Sequence, residues 1–122
     1  MEKKFFKSAT SKNPLSGAVL AGDTLYVSGQ LGIDPAAGSM AVGDAAQTAQ
    51  AMKNLQAQVE GAGLTLEDVV KTTIYVAAET DTTIVNQVYA SFFSENYPAR
   101  LMIRAAFPNP AVRVEVEAIA VR

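Results

Sequence analysis

Arg100 and Glu115 are the two residues whose types and positions could do chemistry together. Arg100 follows Pro98 and Ala99 at the start of a predicted strand, where a guanidinium can hold a carboxylate through two parallel hydrogen bonds. Glu115 lies near the start of the last predicted strand, and a carboxylate beside an anion site can orient a water or move a proton. If the two strands pair, both side chains could share one side of the sheet. The alternative is that both form ordinary surface ion pairs.

Two further polar side chains are candidates for the same site. Ser28 precedes Gly29 and Gln30 at the end of a predicted strand, so its hydroxyl and the nearby backbone N–H groups could bind a ligand. Asn86 lies on a predicted helix, where a surface or capping contact is the simpler interpretation.

The composition narrows the chemistry, because the chain contains no Cys and no His. Disulfides, a thiolate nucleophile, a Ser-His-Asp triad and His-assisted RNA cleavage are therefore excluded. Zinc lacks its usual Cys and His ligands, and no phosphate-binding, dinucleotide-binding or calcium-binding motif occurs. Carboxylates could still hold magnesium or calcium. A net charge of −2, from 10 Lys and Arg against 12 Asp and Glu, argues against nucleic acid as a partner.

The length and the apolar content set the scale of the fold. With 122 residues, 49% of them hydrophobic, the chain predicts a single domain spanning residues 1–122. No apolar run approaches the ~20 residues that cross a bilayer, and we recognise no signal peptide at the start. We therefore expect a cytoplasmic protein without membrane contact.

The elements that would position the candidates follow the order β-β-β-α-β-α-β-β. The predicted strands span residues 5–8, 18–21, 24–30, 69–77, 99–107 and 112–122. Asp44 is expected to cap the first helix, whose apolar stripe runs through residues 45–62. Thr80 or Asp81 is expected to cap the second helix, which Pro98 ends. This order predicts an α+β two-layer domain, with a mixed six-stranded sheet and two helices on one face.

The second face of the sheet would have no helix to cover it. The side chains predicted there are Tyr26, Ser28, Tyr75, Arg100, Met102, Arg104 and Glu115. Such a mixture of apolar and charged residues is typical of a subunit interface with polar pockets. We therefore expect a homo-oligomer with clefts between sheets, although a single antiparallel sheet can also face water.

The segments around the candidates resemble a known family. The stretch Tyr97–Arg100, followed fifteen positions after Arg100 by Glu115 within residues 114–120, is similar to the C-terminal signature of the RidA (YjgF) proteins. Three upstream segments fit the same family: residues 25–30 (LYVSGQ), 34–38 (DPAAG) and 85–93 (VNQVYASFF). The resemblance covers nearly the whole chain, in matching order and spacing.

The resemblance implies a chorismate-mutase-like fold, assembled as a homotrimer with ligand clefts between neighbouring subunits. It implies that Arg100 binds the carboxylate of a small 2-imino acid, such as 2-iminobutanoate or 2-iminopropanoate. Ser28, Gly29 and Asn86 would contact the substrate, and Glu115 would orient a water or carry a proton. The products would be a 2-keto acid and ammonia, formed without metal or cofactor.

Three segments depart from the family pattern, one of them the Pro108–Pro110 turn, where a single Pro is usual. Imine-hydrolysing members usually carry Tyr after the N-terminal Pro, whereas Leu15 follows Pro14 here. After the Arg they often carry Ser and then a small residue, whereas Leu101 and Met102 follow here. Leu15 and Met102 would make the substrate pocket more apolar.

Two alternatives therefore stand beside the deaminase. One is a non-catalytic binder of small carboxylates. The other is a ribonuclease or translation inhibitor, which the acidic net charge and the lack of His disfavour.

Overall fold

A computed structural model describes residues 1–122 and contains six strands and two helices. The strands are β1 Lys3–Lys7, β2 Ser16–Ala21, β3 Thr24–Leu31, β4 Val69–Val76, β5 Ala99–Arg104 and β6 Val114–Val121. The helices are α1 Asp44–Gly61 and α2 Thr82–Ala90, and a short 3₁₀ helix at Leu66–Asp68 leads into β4. The predicted order of elements, including the first strand, is confirmed.

The six strands form one mixed sheet in the order β1-β2-β3-β6-β4-β5. All neighbours are antiparallel except β4 and β5, which are parallel and are joined through α2. Parallel neighbours need such a crossover, because a tight turn can only reverse the chain. The topology places β5 at one edge of the sheet, with β4 between β5 and β6.

Both helices pack against one face of the sheet and form the hydrophobic core with it. Strand residues alternate between this core and the opposite face, as the period of two requires. The largest fully buried side chains include Leu25, Met52, Leu55, Val59, Ile74, Val85, Val114 and Val116. This arrangement confirms the predicted α+β two-layer fold with two helices on one face.

The structure corrects the face that was predicted for β5. In the parallel pair, Thr72 of β4 lies beside Arg100 of β5, and cross-strand neighbours point to the same side of a sheet. Thr72 is fully buried beneath the helices. The residues of β5 on this covered face are therefore Arg100, Met102 and Arg104. Leu101 and Ile103 point instead to the open face, where the sequence pattern had placed the charged residues.

The start of α1 also differs from the prediction. Asp44 is already helical, and Gly43, with φ of 101°, holds the cap position without any side-chain hydrogen bond. The Asp44 carboxylate is instead engaged by the Arg113 guanidinium, with Nε and Oδ1 2.7 Å apart. Because this ion pair orients the carboxylate towards β6, the side chain does not cap its own helix.

The second helix begins as predicted and ends early. The Asp81 carboxylate accepts a hydrogen bond from the backbone N–H of Thr83 at 3.0 Å, which confirms the predicted cap. The helix ends at Ala90 and does not run to Pro98, because the Ser91 hydroxyl donates to the Val88 carbonyl and the chain then turns. The last two strands are also shorter than expected, at residues 99–104 and 114–121.

The open face of the sheet exposes several large apolar side chains. Tyr26 is 52% exposed, Leu101 51%, Ile103 40% and Val121 41%. Exposed aliphatic and aromatic residues on one contiguous sheet face mark a surface suited to protein contact.

No helix of the chain has the length and apolar character needed to cross a lipid bilayer.

Candidate functional site

Arg100 is held by α2 and by no carboxylate. Its Nη1 donates to the side-chain oxygen of Asn86 at 2.7 Å, and its guanidinium carbon lies 5.3 Å from the centre of the Tyr89 ring. The three ion pairs of the structure involve Arg113 and Arg122 but not Arg100. The remaining N–H donors of the Arg100 guanidinium are therefore available to an incoming anion.

A recess of about 290 Å³ opens beside this guanidinium. Its lining residues are Asn86, Tyr89, Ala90, Tyr97, Pro98 and Arg100. A volume near the lower end of ligand pockets suits an organic acid of a few carbon atoms. Met102 is not part of this lining, because its side chain packs against the hydrophobic core; its role as a substrate contact stays a prediction.

Glu115 lies on the open face of the sheet, part-buried between Leu31 of β3 and Tyr75 of β4. Burial raises the pKa of the Glu115 carboxyl, and the negative charge of Glu117, two residues along the same face, raises it further. The Tyr75 hydroxyl donates to Glu117 at 2.7 Å and leaves Glu115 without a hydrogen-bonding side chain. A carboxyl with a raised pKa exchanges protons more readily near neutral pH.

A bulge in β3 brings Gly29 against the Glu115 carboxylate. Val27 and Gln30 both pair with β6 and are both buried, so Ser28 and Gly29 between them are pushed out of the regular ladder. A Cβ atom built on Gly29 would lie 2.8 Å from the carboxyl carbon of Glu115. Glycine at this position therefore makes room for the carboxylate.

Ser28 and Leu15 lie beside the same bulge. The Ser28 hydroxyl donates to the backbone carbonyl of Ser16 at 2.6 Å, which fixes the start of β2 against β3. Leu15 directly precedes this point and is 48% exposed. Ser28 therefore holds the backbone next to Leu15, and its oxygen keeps lone pairs for a ligand.

The predicted site residues thus fall into two groups within one chain. Leu15, Ser28, Gly29 and Glu115 lie near the β3 bulge; Asn86 and Arg100 lie by the recess, with Met102 next to Arg100 on the covered face. Ile103, and not Arg100, is level with Glu115 across β4. Two strand spacings and three residues of rise put the Cα atoms of Arg100 and Glu115 roughly 14 Å apart. The expectation that both share one side of the sheet is therefore wrong.

Tyr89 is the residue at this site that the sequence pattern assigned only to core packing. The hydroxyl oxygens of Tyr89 and Thr72 are 2.8 Å apart in the core. The Arg100 guanidinium lies over the Tyr89 ring. Tyr89 follows Asn86 by three residues, one helical turn, so both face the same way. That spacing is a signal from which its contact with the site could have been predicted.

The fold and the site define a class: a two-layer α+β protein with one open sheet face and a strand-end arginine free for a small anion. Residues 6–122 match the family described as Endoribonuclease L-PSP. The chain belongs to this family, that of the RidA (YjgF) proteins, and the resemblance seen in the sequence is confirmed.

Relatives and solved structures agree with this assignment. The human 2-iminobutanoate/2-iminopropanoate deaminase is 38% identical over 117 residues, which cover 95% of this chain and 85% of the human protein. The crystal structure of RidA from an Antarctic Psychrobacter superposes with a TM-score of 0.91 at 34% identity, covering 98% of this chain and 99% of that one. E. coli TdcF with bound serine gives a TM-score of 0.91 at 30% identity and covers 98% of both chains.

Proposed function

We propose that this protein hydrolyses small 2-imino acids, such as 2-iminobutanoate and 2-iminopropanoate, to 2-keto acids and ammonia. The observation that carries the proposal is the Arg100 guanidinium, which lies beside a small recess and has no carboxylate partner. The human relative, 38% identical, is named for this activity. The serine bound to E. coli TdcF is also a small carboxylic acid that carries nitrogen on C2.

The chemistry needs few groups, because a protonated imine is already electrophilic. Arg100 binds the substrate carboxylate, and the Glu115 carboxylate takes a proton from a water whose oxygen attacks C2. Glu115 then gives this proton to the amine nitrogen. As the C–N bond breaks and the C=O bond forms, the Glu115 carboxylate takes up the hydroxyl proton and passes it to the departing ammonia, which leaves as ammonium. Positioning of this kind lowers a barrier by on the order of 7–11 kcal/mol in the best oriented systems.

We propose further that each active site lies between two subunits of a homotrimer. Within one chain Arg100 and Glu115 lie on opposite sheet faces, so a site that uses both takes them from different copies. The exposed Tyr26, Leu101 and Ile103 supply an apolar surface for that contact. Two further predictions come from the sequence. Residues 1–122 form a single domain, and the protein is cytoplasmic.

The test is an imine-hydrolysis assay in which threonine dehydratase generates 2-iminobutanoate. We expect the protein to accelerate imine loss and Arg100→Ala to lower kcat/KM by a factor of about a hundred or more, roughly the loss of two charged hydrogen bonds. Arg122→Ala, which removes a surface arginine paired with Asp23, is the matched control and keeps the wild-type rate. A wild-type rate from Arg100→Ala would rule the mechanism out.

The same samples separate the alternatives. A 2-keto acid that raises the melting temperature of a protein without turnover would favour a non-catalytic carboxylate binder. RNA cleavage that survives both stringent purification and Arg100→Ala would favour a ribonuclease, the activity in the family's description.

A further inference from the structure

A pair of hydroxyls in the core joins strand β4 to the Tyr89 ring, over which the Arg100 guanidinium lies. Thr72 is 0% exposed and Tyr89 4%, and their oxygens are 2.8 Å apart. Thr72 is also the strand neighbour of Arg100 in the β4–β5 pair. The Tyr89 ring is therefore tied to the same piece of sheet from which Arg100 projects.

We propose that Tyr89 is a positioning residue for Arg100. Its ring, fixed through Thr72, is the platform that holds the guanidinium at the recess in the orientation that receives a carboxylate. The inference rests on the proposed function, because the orientation of Arg100 matters to turnover only where Arg100 binds the substrate.

The contacts of Arg100 explain why a platform is needed. An arginine side chain is long and flexible, and its bond to Asn86 fixes only Nη1. The face of an aromatic ring attracts a cation within about 6 Å of its centroid, and the 5.3 Å separation here satisfies that limit. The ring thus restrains the guanidinium at a second point.

A ring also holds the cation in a way that suits ligand binding. A carboxylate at the same place would neutralise Arg100 and occupy its donors, so an incoming anion would have to displace it. The Tyr89 ring and the Asn86 amide are both uncharged. Together they orient the guanidinium while its full charge and its remaining N–H groups stay available.

The positioning role predicts that removing the ring of Tyr89 and removing its hydroxyl have different effects on carboxylate binding. The ring carries the contact with Arg100, and the hydroxyl only fixes the ring. Removing the ring should therefore weaken carboxylate binding strongly, and removing the hydroxyl should weaken it less. A purely structural role predicts instead that binding is unchanged in whatever protein remains folded.

The experiment measures KM and kcat for 2-iminobutanoate, Kd for 2-oxobutanoate and the melting temperature. For Tyr89→Leu we expect KM and Kd to rise about 5- to 30-fold, the range of a partly desolvated cation–π contact, with kcat within about twofold. Tyr89→Phe keeps the ring, so we expect a smaller rise in KM and Kd. The matched control is Val59→Ala, which opens the core of α1 away from Arg100 and lowers the melting temperature without raising KM.

A double variant separates positioning from stability. Tyr89→Phe together with Thr72→Val removes both hydroxyls, leaves no buried group unpaired and restores much of the melting temperature lost in Tyr89→Phe alone. We expect KM to stay raised in the double variant, because the ring remains untied. A KM that returns with the melting temperature would contradict the positioning role.

The outcomes distinguish this inference from the proposed function. If the wild type turns over 2-iminobutanoate and Tyr89→Leu keeps the wild-type KM and Kd, the positioning role is overturned and the deaminase proposal stands. If the wild type neither turns over the imine nor binds 2-oxobutanoate, both fall. Should Tyr89→Leu fail to fold, unchanged KM and Kd in Tyr89→Phe and in the double variant overturn the inference.

Discussion

Arg100 and Glu115 lie on opposite faces of one sheet, with β4 between their strands. This separation prevents the two opposite charges from forming an ion pair within the chain. Arg100 keeps its donors for a ligand, and burial, together with the charge of Glu117, keeps the pKa of Glu115 raised. The pairing of strands therefore keeps Arg100 and Glu115 apart within one chain.

The first prediction concerns the uncharged partner of Arg100. Asn86→Asp is nearly isosteric but places a carboxylate where the amide oxygen now accepts from Nη1 at 2.7 Å. Arg100 would then be held in an ion pair, and a substrate carboxylate would have to compete with it. We expect KM for 2-iminobutanoate to rise at least about tenfold, which corresponds to the free energy of roughly one charged hydrogen bond.

The control for this change is Gln87→Glu, which adds the same charge at the next, exposed position of α2. It should leave KM close to the wild-type value, so that an effect of net charge alone can be recognised. Equal KM values for Asn86→Asp and the wild type would show that Arg100 does not receive the substrate.

The second prediction concerns the room that Gly29 leaves for Glu115. A Cβ added at Gly29 collides with the end of a flexible side chain and not with backbone, so Gly29→Ala should fold while the Glu115 carboxylate is displaced. We expect kcat to fall about ten- to a hundredfold with KM little changed, as a misplaced catalytic group predicts. Gly61→Ala, where a Cβ meets nothing within 4 Å, is the matched control in the same kinetic assay.

The sequence could predict the residue types of the site more readily than their arrangement. The alternation is regular in β6 and in β3 as far as Val27, so the buried faces of these segments could be predicted from it. In β5 the alternation is equally regular, but Leu101 and Ile103 are more than a third exposed. They point away from the helices, so apolar residues on an exposed sheet face can imitate a core pattern.

The position of Arg100 relative to Glu115 depends on long-range pairing. Whether β5 pairs with β4 or β6, and in which direction, is decided by the α2 crossover and the packing of the whole sheet. Local periodicity does not carry that information. The engagement of Asp44 by Arg113, 69 residues later, escaped prediction for the same reason.

The third prediction is a pH dependence that originates at Glu115. Burial and the charge of Glu117 raise the pKa of the Glu115 carboxyl above its usual 4.5. Because the proposed mechanism uses the carboxylate form, kcat/KM should fall as the pH drops through the pKa of Glu115. Glu117→Gln keeps an acceptor for Tyr75 but removes the charge, so the pKa of Glu115 falls and the acid limb moves to lower pH. An acid limb that stays in place would exclude Glu115 as its origin.

The fourth prediction concerns stability and the Asp44–Arg113 pair. The hydrogen bond from Arg113 lowers the pKa of Asp44 below 3.8; burial opposes this, and the Asp81 backbone N–H supports it. A depressed carboxyl pKa contributes stability that is present above 3.8 and is lost as the pH falls through the lower folded value. We expect Asp44→Asn to lower the melting temperature by about 4 °C at pH 7, and by progressively less towards pH 3 and below.

Thermal unfolding followed by circular dichroism checks this pH dependence. Asp23→Asn serves as the control, because its pair with Arg122 is 3.3 Å long and exposed on both sides, and exposed pairs contribute little. A melting temperature of Asp44→Asn that equals the wild-type value at pH 7 would contradict the prediction.

The last prediction tests whether one active site uses residues of two subunits. Arg100→Ala and Glu115→Ala should each be inactive alone. When the two variants are co-expressed and mix at random, a site between neighbours is intact if its Arg100 comes from the Glu115→Ala chain and its Glu115 from the Arg100→Ala chain. In a closed ring this holds for about one quarter of the sites, so about one quarter of the wild-type activity should return. If both residues of a site came from one chain, no mixed assembly would contain an intact pair, and mixing would restore nothing.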